Sequence, residues 1–179
     1  MSEIPRIGRR ELLTGGLGAG LGLGLATLAA GQDDPAAARP RPGDLIVRDG
    51  DDTKTPLTPA DIVADAKPTI AWAMEPGDKT VRSGSRFNRL VLVRIGAGDE
   101  AVFANTVICT HDGCDVVDWL ADEHMLSCPC HYSKFDPKDS GRVASGPAPR
   151  ALPSLPLTVT DGRLVVARPF TSRVGFESQ

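Results

Sequence analysis

The chain has 179 residues, enough for one modest domain with added segments. Aromatic residues make up 4%, while Gly and Pro number 19 and 15, a balance that favours a turn-rich β architecture and argues against a helical bundle. The net charge of −3 gives no broad positive footprint, so no nucleic-acid partner is expected.

Arg6, Arg9 and Arg10 precede an uncharged stretch from Leu12 to Gln32. Arg9-Arg10-Glu11-Leu12-Leu13 resembles the twin-arginine export signal, paired arginines followed by apolar residues. The stretch carries Gly15, Gly16, Gly18, Gly20, Gly22 and Gly24. Each would cost a soluble helix roughly 1 kcal/mol, so an ordinary buried helix is a poor reading. The stretch just reaches the about 20 apolar residues that a membrane span needs. Ala36-Ala37-Ala38 offers an A-x-A cleavage pattern further on. Residues 1–32 therefore read as an export signal or a retained membrane anchor.

Residues 33–44, with Pro35, Pro40 and Pro42, read as a semi-extended linker. A globular domain is expected over residues 45–179. Thr58 followed by Pro59 suits the cap and first position of a short helix. Ile70 to Met74 reads as a strand. Leu90–Ile95 and Ala101–Ile108 flank Gly96-Ala97-Gly98-Asp99 and read as a hairpin. His124 to Ser127 reads as a short strand. Leu155–Thr160 and Arg163–Ala167 flank Asp161-Gly162, the strongest short hairpin signal. The whole is read as an antiparallel β domain with a loop-built site over about residues 105–150.

The chemistry concentrates in two segments, Cys109-Thr110-His111-Asp112-Gly113-Cys114 and Cys128-Pro129-Cys130-His131-Tyr132-Ser133. All 4 cysteines of the chain lie in them, and such crowding signals a metal or redox site. The six candidate donors are too many for one four-coordinate ion. They suit a two-iron cluster with four protein ligands, since thiolates favour iron–sulfur clusters and imidazole also ligates iron. C-x-H is tighter than the usual spacing of zinc ligands. All-cysteine ligation matches the plant-type ferredoxin spacing only at Cys109-x4-Cys114. Two plain disulfides are a further minor reading of the four cysteines. His124 is expected at the surface, Trp119 and Tyr132 as packing around the loops, and Asp112 and Asp115 as solvated loop charges.

The two segments resemble the paired boxes of the Rieske family, in its disulfide-bearing, high-potential branch. The resemblance runs from about Asn88 to Phe170. It implies a 2Fe–2S cluster with Cys109 and Cys128 on an inner iron and His111 and His131 on an exposed outer iron. It implies a Cys114–Cys130 disulfide, and an all-β, three-sheet antiparallel fold with the cluster loops at its tip. Gly146-Pro147-Ala148-Pro149 resembles the family's proline loop, which covers the cluster. Two neutral imidazoles in place of two thiolates raise the potential from about −400 mV to about −150 to +300 mV. Ser133 stands where the family's serine donates a hydrogen bond to a cluster sulfur. Phe135 stands where high-potential members often have tyrosine. One missing hydrogen bond lowers a one-electron potential by roughly 40–65 mV, so a value in the upper Rieske range but below its top is expected.

The resemblance implies one-electron transfer outside the cytoplasm, with no catalytic turnover by this chain alone. One expected role is the iron–sulfur subunit of a cytochrome bc-type complex, with quinol and a c-type cytochrome as partners. An alternative is the small Rieske subunit of a periplasmic oxidoreductase such as arsenite oxidase, suggested by His131-Tyr132-Ser133-Lys134-Phe135-Asp136. The twin-arginine route carries folded proteins, as a cytoplasmically assembled cluster requires. It places the domain on the periplasmic side of a bacterial membrane.

Overall fold

A computed structural model describes residues 34–98 and 101–176. The export or anchor segment expected over residues 1–32 lies outside the described residues. Among the described residues ten strands follow in chain order: β1 (Leu45–Arg48), β2 (Thr69–Met74), β3 (Leu90–Arg94), β4 (Val102–Thr106), β5 (Asp118–Leu120), β6 (Met125–Ser127), β7 (Lys134–Asp136), β8 (Arg142–Ser145), β9 (Leu157–Thr160) and β10 (Arg163–Val166). One sheet has the order β4-β3-β2-β1-β10-β9, and the other β5-β6-β7-β8. All the strand ladders are antiparallel.

Two sheets stand where three are expected, because the β9–β10 hairpin is not a sheet of its own. It merges with β2-β3-β4 because β1 pairs with β2 along its whole length, Leu45↔Met74 to Arg48↔Ala71. Its ladder to β10 holds the single pair Leu45↔Val165. The β9–β10 turn follows its sequence signal: Asp161 (φ 51°) and Gly162 (φ 73°) both lie in the left-handed region that such a tight turn demands. The helix expected after Thr58 is a single 3-10 turn, Pro59–Asp61. The Thr58 N–H and hydroxyl both donate to Asp61 Oδ2 at 2.7 Å, so the local signal was a cap with no helix to follow it.

Strand β3 explains where the site sits. Its residues alternate between two faces, and both faces are buried. Leu90 and Leu92 pack with Ile46, Ala71, Ala73, Leu164 and Val166. Val91 and Val93 pack on the other side with Ile108, Cys109, Cys128 and Phe135. The second core thus carries two of the candidate donors on a rigid wall.

Residues 34–44 have no regular strand or helix, yet they are fixed to the body. Gly84 N–H donates to Ala36 O at 2.9 Å. The Asn88 amide, fully buried, donates to Ala38 O at 2.8 Å. Arg82 donates to Pro35 O at 3.1 Å and grips both oxygens of Asp44 at 3.0 and 3.1 Å. Each side chain of that ion pair is only 4% exposed. The segment is folded into turns, with Ala37 N–H donating to Asp34 O at 2.9 Å and Asp44 N–H to Arg41 O at 3.0 Å, and its Pro35 and Ala38 carbonyls accept from buried Arg82 and Asn88.

Candidate metal centre

The two donor segments are loops with one backbone design. In the first, Cys109 N–H donates to Cys114 O at 2.9 Å, and Gly113 N–H donates back to Cys109 O at 3.1 Å. In the second, Cys128 N–H donates to Ser133 O at 2.9 Å, and Tyr132 N–H to Cys128 O at 2.9 Å. The fifth residue of each loop is left-handed, Gly113 at φ 71° and Tyr132 at φ 59°. Glycine meets that demand without strain, whereas Tyr132 adopts a conformation that disfavours side chains. Tyr132 is 73% exposed, so it does not pack around the loops as expected.

Each loop leaves a strand end of the second core. The first follows β4 and is closed by the isolated bridge Ile108↔Asp115. The second is the connection of the β6–β7 hairpin, whose last pair is Ser127↔Lys134. Cys109 and Cys128 therefore point inward and are 1% exposed each. Burial pushes the Cys109 thiol up to about 11, and the neighbouring Cys128 thiol adds to the rise. Backbone N–H groups of His111 and Asp112 reach the same sulfur and act in the opposite sense.

His111 is half-buried and His131 exposed. Their Nδ1 atoms lie 3.2 Å apart, and the rings meet edge to face at 4.6 Å between centroids. Cys114 and Cys130 form a disulfide across the two loops, with Cα atoms 6.5 Å apart. Its sulfurs and the Cys128 sulfur all lie within 4.8 Å of one another. This donor set suits a two-iron cluster. Burial holds the proton on the Cys109 thiol, and a metal that binds there displaces it. Two imidazoles with converging Nδ1 atoms stand ready on the outer side.

The third wall is the 146–149 loop, which leaves β8. Gly146 (φ 93°) lies against Ser133: a Cβ there would fall 2.4 Å from Ser133 Cα and 2.9 Å from its N and Oγ. Ala148 N–H donates to Ser133 Oγ at 3.1 Å, which orients the hydroxyl and leaves its proton to donate elsewhere. Pro147 lies between these two contacts. Phe135 is fully buried in β7, just past a bulge between Lys134 and Phe135.

Several contacts had no sequence signal. Buried Thr110, between two candidate donors, donates to Arg150 O at 2.7 Å and so ties the first loop to the proline loop. Arg86 donates to Gly113 O at 2.7 Å. Asp115, expected as a solvated charge, accepts from both Arg86 and Arg89 at 3.1 Å. Asp112 is exposed, and His124 is exposed and stacked on Trp119. Arginines pair across long sequence gaps, and no spacing rule reveals such partners.

The family profile for the Rieske 2Fe–2S domain matches residues 72–156. The cytochrome b6-f complex iron-sulfur subunit of Synechococcus elongatus is 31% identical over 176 residues, covering 96% of this chain and 89% of its own. The cytochrome bc1 complex Rieske iron-sulfur subunit of Corynebacterium diphtheriae is 46% identical over 74 residues, 41% of this chain and 18% of that protein. The plasma-membrane Rieske protein of Synechocystis PCC 6803 gives a TM-score of 0.38 at 32% identity, over 44% of this chain and 75% of its own. With a relative above 30% identity matched along nearly its whole length, the chain belongs to the Rieske 2Fe–2S family.

Proposed function

We propose that this chain is the electron-transferring iron–sulfur subunit of a quinol-oxidising, cytochrome bc-type complex, and that Cys109, His111, Cys128 and His131 hold its cluster. The convergence of the two histidine Nδ1 atoms, 3.2 Å apart on the loops that bury Cys109 and Cys128, carries the ligand assignment. The cluster, when bound, supplies a one-electron couple. Buried Cys109 and Cys128 keep solvent from its inner side, while His111 and His131 present the outer side to a partner. Gly146, Pro147 and Ala148 cover the third side. Ser133, held by Ala148, is aimed to donate its hydroxyl proton to a sulfur, and Phe135 offers no matching donor.

The match over 96% of the chain to a cytochrome b6-f subunit supports the bc-type role over an arsenite oxidase-like role. That match includes the N-terminal segment, which supports a membrane-held subunit facing the periplasm and exchanging electrons with a c-type cytochrome. The hydrogen bonds that dock Ala36 and Ala38 favour a retained segment over cleavage at that site. Electron paramagnetic resonance of the dithionite-reduced protein tests the ligands. A rhombic signal with the low average g of histidine-ligated clusters is expected, and an all-cysteine ferredoxin spectrum would overturn them. Co-purification with a membrane cytochrome and sensitivity to quinone-site inhibitors test the complex. Co-purification with a molybdenum subunit would refute it.

A further inference from the structure

The segment 171–176 lies beyond the residues that match the Rieske profile, 72–156, yet it touches two walls of the cluster site. Val174 is 7% exposed and belongs to the core that contains Cys109, Cys128 and Ala148. The Arg150 guanidinium donates to the carbonyls of Arg173 at 2.9 Å and Gly175 at 2.6 Å. The carbonyl of the same Arg150 accepts from Thr110 at 2.7 Å. Phe176 lies against Gly113 so closely that a Cβ on that glycine would come within 2.5 Å of the ring.

From this arrangement we infer that the C-terminal tail is a strap that positions the cluster: Val174 to Phe176 hold the first cysteine–histidine loop and the proline loop at fixed separation. The inference rests on the ligand reading above. Arg150 follows the proline loop directly, so its two charge-assisted bonds anchor that loop's outgoing end to the tail. Thr110 joins that anchored residue to the backbone between Cys109 and His111. Phe176 closes the circuit by capping Gly113, the left-handed hinge of the first loop. Each contact alone is ordinary. Together they make the spacing of two cluster walls depend on residues far along the chain. Arg150, Thr110 and Phe176 are positioning residues, since they act through the ligand loops.

The strap is tested on the loaded protein and, by amide exchange, on the cluster-free protein too. In Phe176→Ala and Arg150→Gln, amide hydrogen exchange of residues 110–114 and 146–150 in the cluster-free protein should rise about tenfold each, the factor set by one such lost interaction. Exchange in β1 and β2 should be unchanged. In the loaded protein the same variants should release the cluster to a chelator about tenfold faster and broaden the paramagnetic signal. Phe176→Leu should restore most of the protection. Unchanged exchange in both loops, with release as slow as in the parent protein, would overturn the strap. A parent protein that showed no histidine-ligated signal would refute the ligand reading, while the exchange data would still decide whether the tail braces the loops.

Discussion

The replacement Gly146→Ala tests how the proline loop closes on the site. The added methyl meets Ser133 Cα at 2.4 Å and Ser133 N at 2.9 Å, both backbone atoms that no side-chain rotation can move. Its φ of 93° adds a left-handed penalty of about 1–2 kcal/mol. Lifting the loop also breaks the Ala148 N–H···Ser133 Oγ bond, worth about 1 kcal/mol. The expected destabilisation is about 2–3 kcal/mol, or a Tm drop of roughly 5–10 °C for a domain of this size. Gly162→Ala is the control, because Gly162 has a similar φ of 73° but nothing within 4 Å of its Cβ position. It should show the backbone penalty alone. If Ser133 donates to a cluster sulfur as proposed, releasing it should lower the midpoint potential by up to about 40–65 mV. Urea unfolding and a redox titration followed by paramagnetic resonance measure both effects. If Gly146→Ala cost no more than Gly162→Ala and kept the parent potential, the close approach would not matter to the site.

Four further outcomes are expected. Cys114→Ser opens a disulfide spanning 16 residues, which should cost about 3 kcal/mol in urea unfolding under oxidising conditions; an unchanged midpoint would show that the bridge adds nothing. Phe135→Tyr should raise the potential by roughly 40–65 mV if the new hydroxyl reaches a cluster sulfur, and no change or a fall would sink the hydrogen-bond argument. Asp44→Asn strands the Arg82 guanidinium at 4% exposure, so about 3–5 kcal/mol of stability should be lost, and equal stability would mean that the 34–44 segment is not clamped. Asp49 has its carboxyl held below the usual 3.8, first by the Trp72 Nε1–H bond, with help from Arg89 and against its own partial burial. A depressed carboxyl stabilises fully above its unfolded value and loses that contribution as the pH falls through its folded one. The urea midpoint should therefore drop below pH 3.8, and Trp72→Phe should flatten that acid limb; an unaltered limb would assign it to other carboxylates.

The elements that were legible in advance were those with a strong local pattern. Leu90–Val93 is a continuous apolar run, and Asp161-Gly162 is a turn dipeptide whose backbone has few alternatives. The runs expected over Leu90–Ile95, Ala101–Ile108, Leu155–Thr160 and Arg163–Ala167 all contain the observed strands, with no end shifted by more than 2 residues. Strands β1, β5, β7 and β8 were not foreseen. They have three or four residues each, too few for an alternation to show, and pairing with neighbours makes them strands. The single 3-10 turn after Thr58 shows the opposite case, where a good cap signal stood before a segment that tertiary packing did not extend.

For the site, two short cysteine–histidine segments by themselves determined the family and the kind of cofactor. Donor chemistry is a property of residue type, and spacing is a property of the chain. What only the tertiary structure decided is how those donors are held. The matching backbone design of the two loops, with left-handed Gly113 and Tyr132 at equivalent positions, is a set of hydrogen bonds that no motif spells out. The pairing of Arg82 with Asp44, of Arg150 with the 173–175 carbonyls, and of Asp115 with Arg86 and Arg89 spans gaps of 23 to 38 residues. Contacts over such distances depend on where the folded backbone carries each group, and that is fixed only when both sheets have closed around their two cores.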